Sequence, residues 1–170
     1  MDNLRFYKAF GSTPKEAQKT IAAGKLKGMT DINPMWRIKA LTEKFGPQGE
    51  GWKLEIKDMW TTGNSDQSEV AAWCLVNLYY KLDSGEWSAP VPGIGGSKLF
   101  GKGVGDGIND EAYKMAYTDA IAIACKGLGM SADIYFSKDR TKYDLASSAS
   151  VPASSPADDI PEAPAPKPQF

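Results

Sequence analysis

The sequence predicts an α+β fold in which an antiparallel sheet packs against a long alanine-rich helix and is followed by a disordered tail. Three observations lead to it. Strand-like runs fill the middle of the 170-residue chain, alanines then recur at every fourth position, and the C-terminal stretch is rich in Pro, Ala and Ser. A chain of this length can form one domain with a buried core. We therefore expect a domain over 1–144 and a disordered tail over 145–170.

Two helices are predicted in the N-terminal part. Thr13–Glu16 has the first-turn proline and capping-box pattern that begins a helix, which Gly24 would end. Asn33–Pro34 begins a second helix in the same way, and Gly46 would end it. The predicted buried stripe of this second helix comprises Ile38, Leu41 and Phe45.

Period-two alternation after Gly51 predicts a strand with one wet face. Its buried side is predicted to hold Trp52, Leu54 and Ile56. The longest strand candidate, Glu69–Leu82, is apolar on both faces, which is typical of a central strand covered twice. In a small chain the second cover is expected to be another subunit. Trp52 and Trp73 are predicted to be buried, and a short strand is predicted near Trp87–Val91.

Glycines dominate Pro92–Gly107, which predicts a mobile loop. Gly96–Gly103 has the spacing of a phosphate-binding loop, but Gly103 replaces the Ser or Thr that would hold magnesium. Gly105–Asp110 matches a magnesium-binding element of haloacid-dehalogenase-type phosphatases and P-type ATPases, yet their aspartyl nucleophile is missing. The open alternatives are lysines that reach a DNA backbone, a plain surface loop, and a helix N-cap at Asn109 or Asp110.

The alanine-rich helix is predicted over about Asp110–Lys126. Spacing of four puts its small residues on one line of the helix surface, so that the helix can lie close to the sheet. These residues are Ala112, Ala116, Ala120 and Ala124. Gly127 and Gly129 are predicted to end the helix, and Asp133–Tyr135 is predicted to form a short strand.

Composition excludes several classes of protein. The chain has no histidine, which removes histidine-based acid–base catalysis, Ser-His-Asp and Cys-His triads and nearly all catalytic zinc sites. Cys74 and Cys125 lie in apolar runs and are predicted to be buried, reduced thiols. Met1–Phe10 lacks the apolar core of a signal peptide, and no run has the length of a membrane span. We expect an intracellular protein that is not an enzyme and uses no cofactor or metal.

Charge is unevenly distributed along the chain. Residues 1–57 hold eleven Lys and Arg against six Asp and Glu, whereas 145–170 hold one Lys against three acids. Cations interleaved with aromatic residues are typical of single-stranded nucleic-acid binding, and an ordinary mixed surface is the alternative. The predicted DNA contacts are Lys25, Lys27, Arg37, Lys39, Lys53, Lys57, Lys98, Lys102, Lys114 and Lys126. In the tail, the elements predicted to dock partner proteins are Asp158, Asp159, Ile160 and Phe170, unless the tail serves only for solubility.

Three short segments carry a family resemblance: Phe45–Trp52, Glu111–Ala120 and Leu128–Gly129. They resemble the Phe-Gly to Gly-Trp turn, the central helix and the helix end of single-strand annealing proteins of the Rad-fifty-two superfamily, especially the phage-encoded Sak type. The resemblance covers about residues 25–145. It implies a β-β-β-α core, rings or filaments, and single-stranded DNA in a positive outer groove without a nucleotide cofactor. Where eukaryotic members have Lys-Arg, this chain has Ile121–Ile123, so Lys114, Lys126 or the N-terminal cluster is expected to supply the charge.

These observations lead to one functional prediction and two alternatives. We expect a phage-type recombination protein that binds single-stranded DNA non-specifically and anneals complementary strands without ATP. It would act as a homo-oligomer, a ring or a filament, in the cytoplasm of a bacterial host. Its tail could reach replication or recombination proteins. The first alternative is a plain single-stranded-DNA-binding protein with an OB-like fold and an acidic partner-docking tail. The second is a phage structural or adaptor protein.

Overall fold

A computed structural model of the chain describes residues 2–24, 26–104 and 107–136. The N-terminal elements are helix α1 (Arg5–Phe10), a 3₁₀ turn (Lys15–Ala17), strands β1 (Gln18–Thr20) and β2 (Thr30–Ile32), and helix α2 (Pro34–Phe45). Then follow strands β3 (Trp52–Gly63), β4 (Val70–Tyr80) and β5 (Val91–Phe100), and helices α3 (Ala112–Gly127) and α4 (Ala132–Phe136). The predicted tail, 145–170, lies outside the described residues.

Two antiparallel sheets are present among the described residues, which confirms the predicted mixture of helices with antiparallel strands. Strands β1 and β2 form a two-stranded sheet, and β3, β4 and β5 form a three-stranded sheet in that spatial order. The register of β3 against β4 shifts between Ile56 and Asp58. Lys57 is the extra residue of this bulge, so the alternation predicted from Trp52 onward breaks there. Ile56, predicted to be buried, is 53% exposed.

Strand β4 divides the three-stranded sheet into two faces. The face that we call the inner face is fully buried along β4, with Ala72, Cys74, Val76 and Leu78. The opposite face, here called the outer face, carries Ala71, Trp73, Leu75 and Tyr79, which are half-buried. The prediction that Trp73 is buried is therefore wrong. Its indole stacks on that of Trp60 on the neighbouring strand, with ring centroids 6.4 Å apart.

The predicted mobile loop over Pro92–Gly107 is wrong from Pro92 to Phe100, which belong to a strand, whereas Gly105 and Asp106 lie outside the described residues. β5 pairs with β4 from Val91 to Phe100. A Cβ atom on Gly93 would lie 2.1 Å from the backbone oxygen of Ala120, and one on Gly95 would lie 2.2 Å from its nitrogen. Glycine is thus required because the α3 backbone lies directly against this strand. Composition alone favoured a loop because glycine is a poor strand former.

Helix α3 meets the sheet through its alanines. Ala112, Ala116, Ala120 and Ala124 are fully buried. The helix begins at Ala112 after Glu111, rather than directly after Asn109 or Asp110. Asn109 still contributes, because its Oδ1 accepts a hydrogen bond of 3.1 Å from the backbone N–H of Glu111.

The first predicted helix is replaced by shorter elements. Thr13 does not cap a helix; its backbone N–H and its hydroxyl donate to the carboxylate of Asp133, at 2.8 and 3.0 Å. These bonds hold the N-terminal segment against α4. After Thr13 the chain continues through the 3₁₀ turn into β1. Asp133–Tyr135 belongs to helix α4 and not to the predicted strand. The second predicted helix is confirmed, since the Asn33 side chain caps it by accepting from the Met35 N–H.

The core lies between the inner face, α2, α3 and the N-terminal segment. Its largest fully buried side chains include Trp52, Leu41, Leu78 and Met130. Cys74 and Cys125 are buried and free, as predicted. The predicted strand near Trp87 is reduced to an isolated bridge between Trp87 and Lys81. None of the helices among the described residues has the length and apolar character needed to cross a bilayer.

Candidate nucleic-acid interface

A cleft of about 350 Å³ lies between β2, α2, α3 and α4. Three of the predicted DNA contacts, Arg37, Lys114 and Lys126, line this cleft, although Arg37 is 77 positions or more from the other two in the sequence. Thr118 and Tyr135 line it as well. We call these five residues the cationic cleft. Asp31 from β2 and Asp119 from α3 line the cleft as well, so the net charge of the lining side chains is close to +1.

Arg37 is the most unusual residue of the cationic cleft. Only 8% of it is exposed, and one guanidinium nitrogen, Nη1, donates to the backbone oxygen of Ile32 at 3.2 Å. No carboxylate pairs with it among the residues that the structure describes. A guanidinium has five donors, and burying its charge without an anion is costly. Arg37 therefore offers charge and donors to an anion that enters the cleft.

Helix α3 supplies the opposite wall. Lys114, Thr118 and Lys126 are spaced at multiples of four, so they follow one ridge of the helix. The Thr118 hydroxyl donates to the backbone oxygen of Lys114 at 2.9 Å, so its oxygen remains able to accept a hydrogen bond. Lys114 forms an ion pair with Glu111 one turn earlier.

Lys126 is held at the end of the ridge by an aromatic ring. Its Nζ lies 4.2 Å from the ring centroid of Tyr135 on α4. A cation–π contact keeps the positive charge while orienting the side chain. Tyr135 is 40% exposed, so the ring is also accessible from solvent. Sequence reasoning missed Tyr135, because it placed that residue on a strand.

Three other predicted contacts are neutralised by nearby carboxylates. Lys39 pairs with Glu43 at 3.3 Å, Lys53 with Glu55 at 3.0 Å, and Lys98 with Glu69 at 2.8 Å. The hydrogen bond from Lys53 is the main reason that the pKa of Glu55 is lowered. Lys53 also lies over the rings of Tyr79 and Trp87, at 4.9 and 5.0 Å. These lysines stabilise the surface locally and have less charge to offer to a phosphate.

The remaining predicted contacts are dispersed. Lys27 lies in the turn between β1 and β2, Lys57 forms the bulge of β3, and Lys102 follows β5; all three are exposed. Lys25 lies outside the described residues. So do the tail elements Asp158, Asp159, Ile160 and Phe170.

The outer face of the three-stranded sheet is a second exposed surface with aromatic residues. Trp60 and Trp73 stack there at an interplanar angle of 16°. Leu75 is half-buried beside them, and Ile94, its partner on β5, is 47% exposed. The lysines of this face are Lys53 and Lys98, which are paired with Glu55 and Glu69. Asp58 lies opposite Leu75 in the register of β3 against β4. A surface with an apolar centre and balanced charges is better suited to contact another protein than to bind the phosphate backbone of DNA.

A second basic location escaped sequence reasoning altogether. Arg5, Lys44 and Lys81 line one recess, although they come from α1, the end of α2 and the residue after β4. No periodic spacing links three cations so far apart in the sequence. Only the folded chain brings them together.

No family model fits the chain, and no curated protein is significantly similar to it. Among the residues that the structure describes, no group of His, Cys, Asp or Glu side chains is arranged to hold a metal ion. The candidate site therefore rests on its own geometry.

Proposed function

We propose that this chain binds single-stranded DNA without sequence preference and anneals complementary strands without ATP. The observation that carries this proposal is Arg37, a buried guanidinium without a carboxylate partner among the described residues. Lys114 and Lys126 line the same cleft. A phosphate oxygen is the ligand that such a group favours, because it accepts bidentate, charge-assisted hydrogen bonds.

Binding would follow from electrostatics. Cations of the cleft neutralise phosphates and release their counterions, which favours binding and makes it depend on salt. Phosphate contacts position a strand but carry no sequence information. Bases left accessible can then meet a complementary strand, and concentration of both strands on one assembly accelerates pairing. Annealing of this kind needs no covalent step, so we propose no enzymatic activity and no cofactor.

Two features support annealing over plain binding. The order β3, β4, β5, α3 is the β-β-β-α order that the resemblance to the Rad-fifty-two superfamily implies. The largest sheet among the described residues has three strands in an open arrangement, whereas an OB-fold is a five-stranded barrel. We propose further that the protein is a homo-oligomer whose subunits cover the outer face, acting in the cytoplasm of a phage-infected bacterium. The acidic tail would dock replication or recombination proteins.

The cleft can be tested against the neutralised lysines. The variant Lys114→Ala/Lys126→Ala removes two cations from the cationic cleft, and Lys53→Ala/Lys98→Ala removes two that are paired elsewhere. We expect the cleft variant to lower the slope of log affinity against log salt by about 0.7, the contribution of one single-strand phosphate contact, because Lys126 has no carboxylate partner in the described structure whereas Lys114 is already paired with Glu111. The control variant should change the slope by less than about half as much, because its lysines already have carboxylate partners.

The measurement is fluorescence anisotropy of a labelled oligonucleotide at several salt concentrations, followed by annealing of a fluorophore strand to a quencher strand. Annealing should slow in parallel with the loss of binding. Equal effects of the two variants would remove the cleft as the DNA site. If the unmodified protein binds single-stranded DNA strongly but does not accelerate annealing, the annealing part of the proposal is wrong and the protein is a plain single-stranded-DNA-binding protein.

A further inference from the structure

A second basic site is built where α1, the end of α2 and the end of β4 meet. The recess has a volume of about 370 Å³. Its cations are Arg5 from α1, Lys44 from the last turn of α2, and Lys81 directly after β4. Asp83 is the one acidic residue among the described residues that line it. The net charge of the lining is therefore close to +2, which is higher than that of the cationic cleft.

None of the three cations is in an ion pair among the described residues. The carboxylate of Asp2 is bound by Lys8 at 2.8 Å. Lys8 is also the main cause of the lowered pKa of Asp2, to which Arg5 adds a smaller part. Lys81 is held in place by the backbone oxygen of Gly85, at 2.8 Å, and by the ring of Trp87, at 4.5 Å. Lys44 has no side-chain contact of this kind in the described structure and is exposed.

Aromatic rings line the recess beside these charges. Phe6 and Tyr80 meet edge to face at 5.0 Å, and Phe45 stacks on Tyr80 at 4.8 Å. The guanidinium of Arg5 lies 4.4 Å from the ring centroid of Phe6. Cations next to flat rings match a phosphate attached to a sugar and a base. Since the rings pack against one another, the recess is preformed.

We propose that this recess binds the terminal phosphomonoester of a DNA strand. Two arguments favour a strand end over the continuous backbone. A phosphomonoester carries nearly two negative charges at neutral pH, which matches the net charge of the lining. The volume is also that of a small-ligand pocket. The inference rests on the proposed function, because it assigns a strand end to a protein that binds strands.

The test uses the full chain and short internally labelled oligothymidylates that differ only in their ends: a 5′-phosphate, a 3′-phosphate or hydroxyls. At low salt we expect about tenfold tighter binding of one phosphorylated oligonucleotide than of the hydroxyl form. Lys44→Ala should reduce that preference to about threefold or less, and Asp83→Asn should increase it. Lys19→Ala is the matched control, because Lys19 is exposed on β1 and lines none of the clefts described above. Thermal melting verifies that each variant is folded.

Circular single-stranded DNA separates this inference from the proposed function. It has no end, so Lys44→Ala should leave its binding unchanged, whereas Lys114→Ala/Lys126→Ala should weaken it. Equal affinity of the unmodified protein for phosphorylated and hydroxyl ends would overturn the inference and leave the proposed function intact. So would equal effects of Lys44→Ala and Lys19→Ala. Free thymidine monophosphate and the phosphorylated oligonucleotide are then compared as unlabelled competitors. If both abolish the preference for the phosphorylated end at the same concentration, the recess binds free nucleotides and the strand-end assignment is wrong.

Discussion

At the scale of single residues, burial of Arg37 without a carboxylate partner among the described residues is not expected to stabilise the folded state. Arg37 is a buried residue of α2, and among the described residues its guanidinium is bound only by the backbone oxygen of Ile32. Replacing a buried charge by an apolar side chain of similar length is often neutral or stabilising. An anion that enters the cleft would offset the cost of burying this charge, which is the role that we propose for Arg37.

This reasoning predicts opposite effects on stability and on binding. Arg37→Met should leave the free energy of unfolding unchanged or raise it by about 1 kcal/mol, because the burial cost of the charge disappears. Affinity for single-stranded DNA should fall about tenfold, as expected for loss of a charge-assisted contact. Urea unfolding and anisotropy measure the two quantities. A destabilised variant with full affinity would show that Arg37 serves the fold alone.

Cys125 provides a prediction about pH. Burial raises the pKa of its thiol to about 12. In the unfolded chain the thiol ionises near its ordinary value, about 8.5. Between these two pKa values the folded state keeps the thiol proton that the unfolded chain has lost. The contribution of the protonated thiol to the free energy of unfolding is therefore complete below about pH 8.5 and disappears as the pH rises toward 12.

We expect the free energy of unfolding to decrease above pH 9 more steeply in the unmodified protein than in Cys125→Ala. The difference should approach about 1.4 kcal/mol for each pH unit between the two pKa values. Urea titrations of both proteins at pH 8, 9 and 10 measure it. Parallel pH profiles would show that the thiol of Cys125 ionises in the folded state much as it does in the unfolded chain.

At the scale of elements, the contact between α3 and β5 decides the architecture. Alanines on the helix and glycines on the strand leave no side chain beyond Cβ between the two backbones. The same glycines that made the segment resemble a loop are what allows it to be a strand under a helix. The contact also places the ridge of Lys114, Thr118 and Lys126 beside α2, so it positions the cationic cleft.

Substitution at this contact should be severe. Gly93→Ala and Gly95→Ala each place a Cβ within 2.2 Å of the α3 backbone, which cannot move aside as a side chain can. We expect each to lower the free energy of unfolding by about 3 kcal/mol. Gly103→Ala is the control; it meets no atom within 4 Å but has a φ of +89°, so backbone strain alone should cost about 1 kcal/mol. Similar losses at all three positions would contradict the close helix contact.

At the scale of the whole molecule, none of the described segments of the chain covers the outer face. Trp60, Trp73, Leu75 and Ile94 form an apolar patch on it, and its lysines are neutralised by carboxylates. Contiguous apolar patches of this kind mark protein contacts. A second copy of the chain is the partner that our proposal of an annealing oligomer requires.

A chain ending at residue 144 should therefore remain oligomeric, and Leu75→Glu/Ile94→Glu should shift it toward monomers, because two buried charges without partners oppose association. Ile108→Glu is the matched control, since Ile108 is 72% exposed and lies outside the outer face. Light scattering at micromolar concentration gives the mass of each. A monomeric parent, or dissociation by Ile108→Glu alone, would contradict assembly through this face.

Local patterns were sufficient wherever neighbouring residues decide the structure. The Asn33 cap, the residues on each face of β4 and the buried cysteines could all be predicted from the sequence, because caps, pleats and apolar runs act over a few residues. Patterns failed where a distant partner intervenes. Thr13 is bound by Asp133, and the bulge at Lys57 interrupts the alternation of β3.

The candidate site shows the same division. The sequence by itself determined which side chains are cationic, and it predicted Arg37, Lys114 and Lys126 as DNA contacts together with seven other residues. Only the tertiary structure decided that these three share a cleft, that Lys53 and Lys98 face carboxylates, and that Arg5, Lys44 and Lys81 meet in a recess. The physical reason is that charge is a property of one residue, whereas its availability depends on burial and on neighbours that folding brings from other elements.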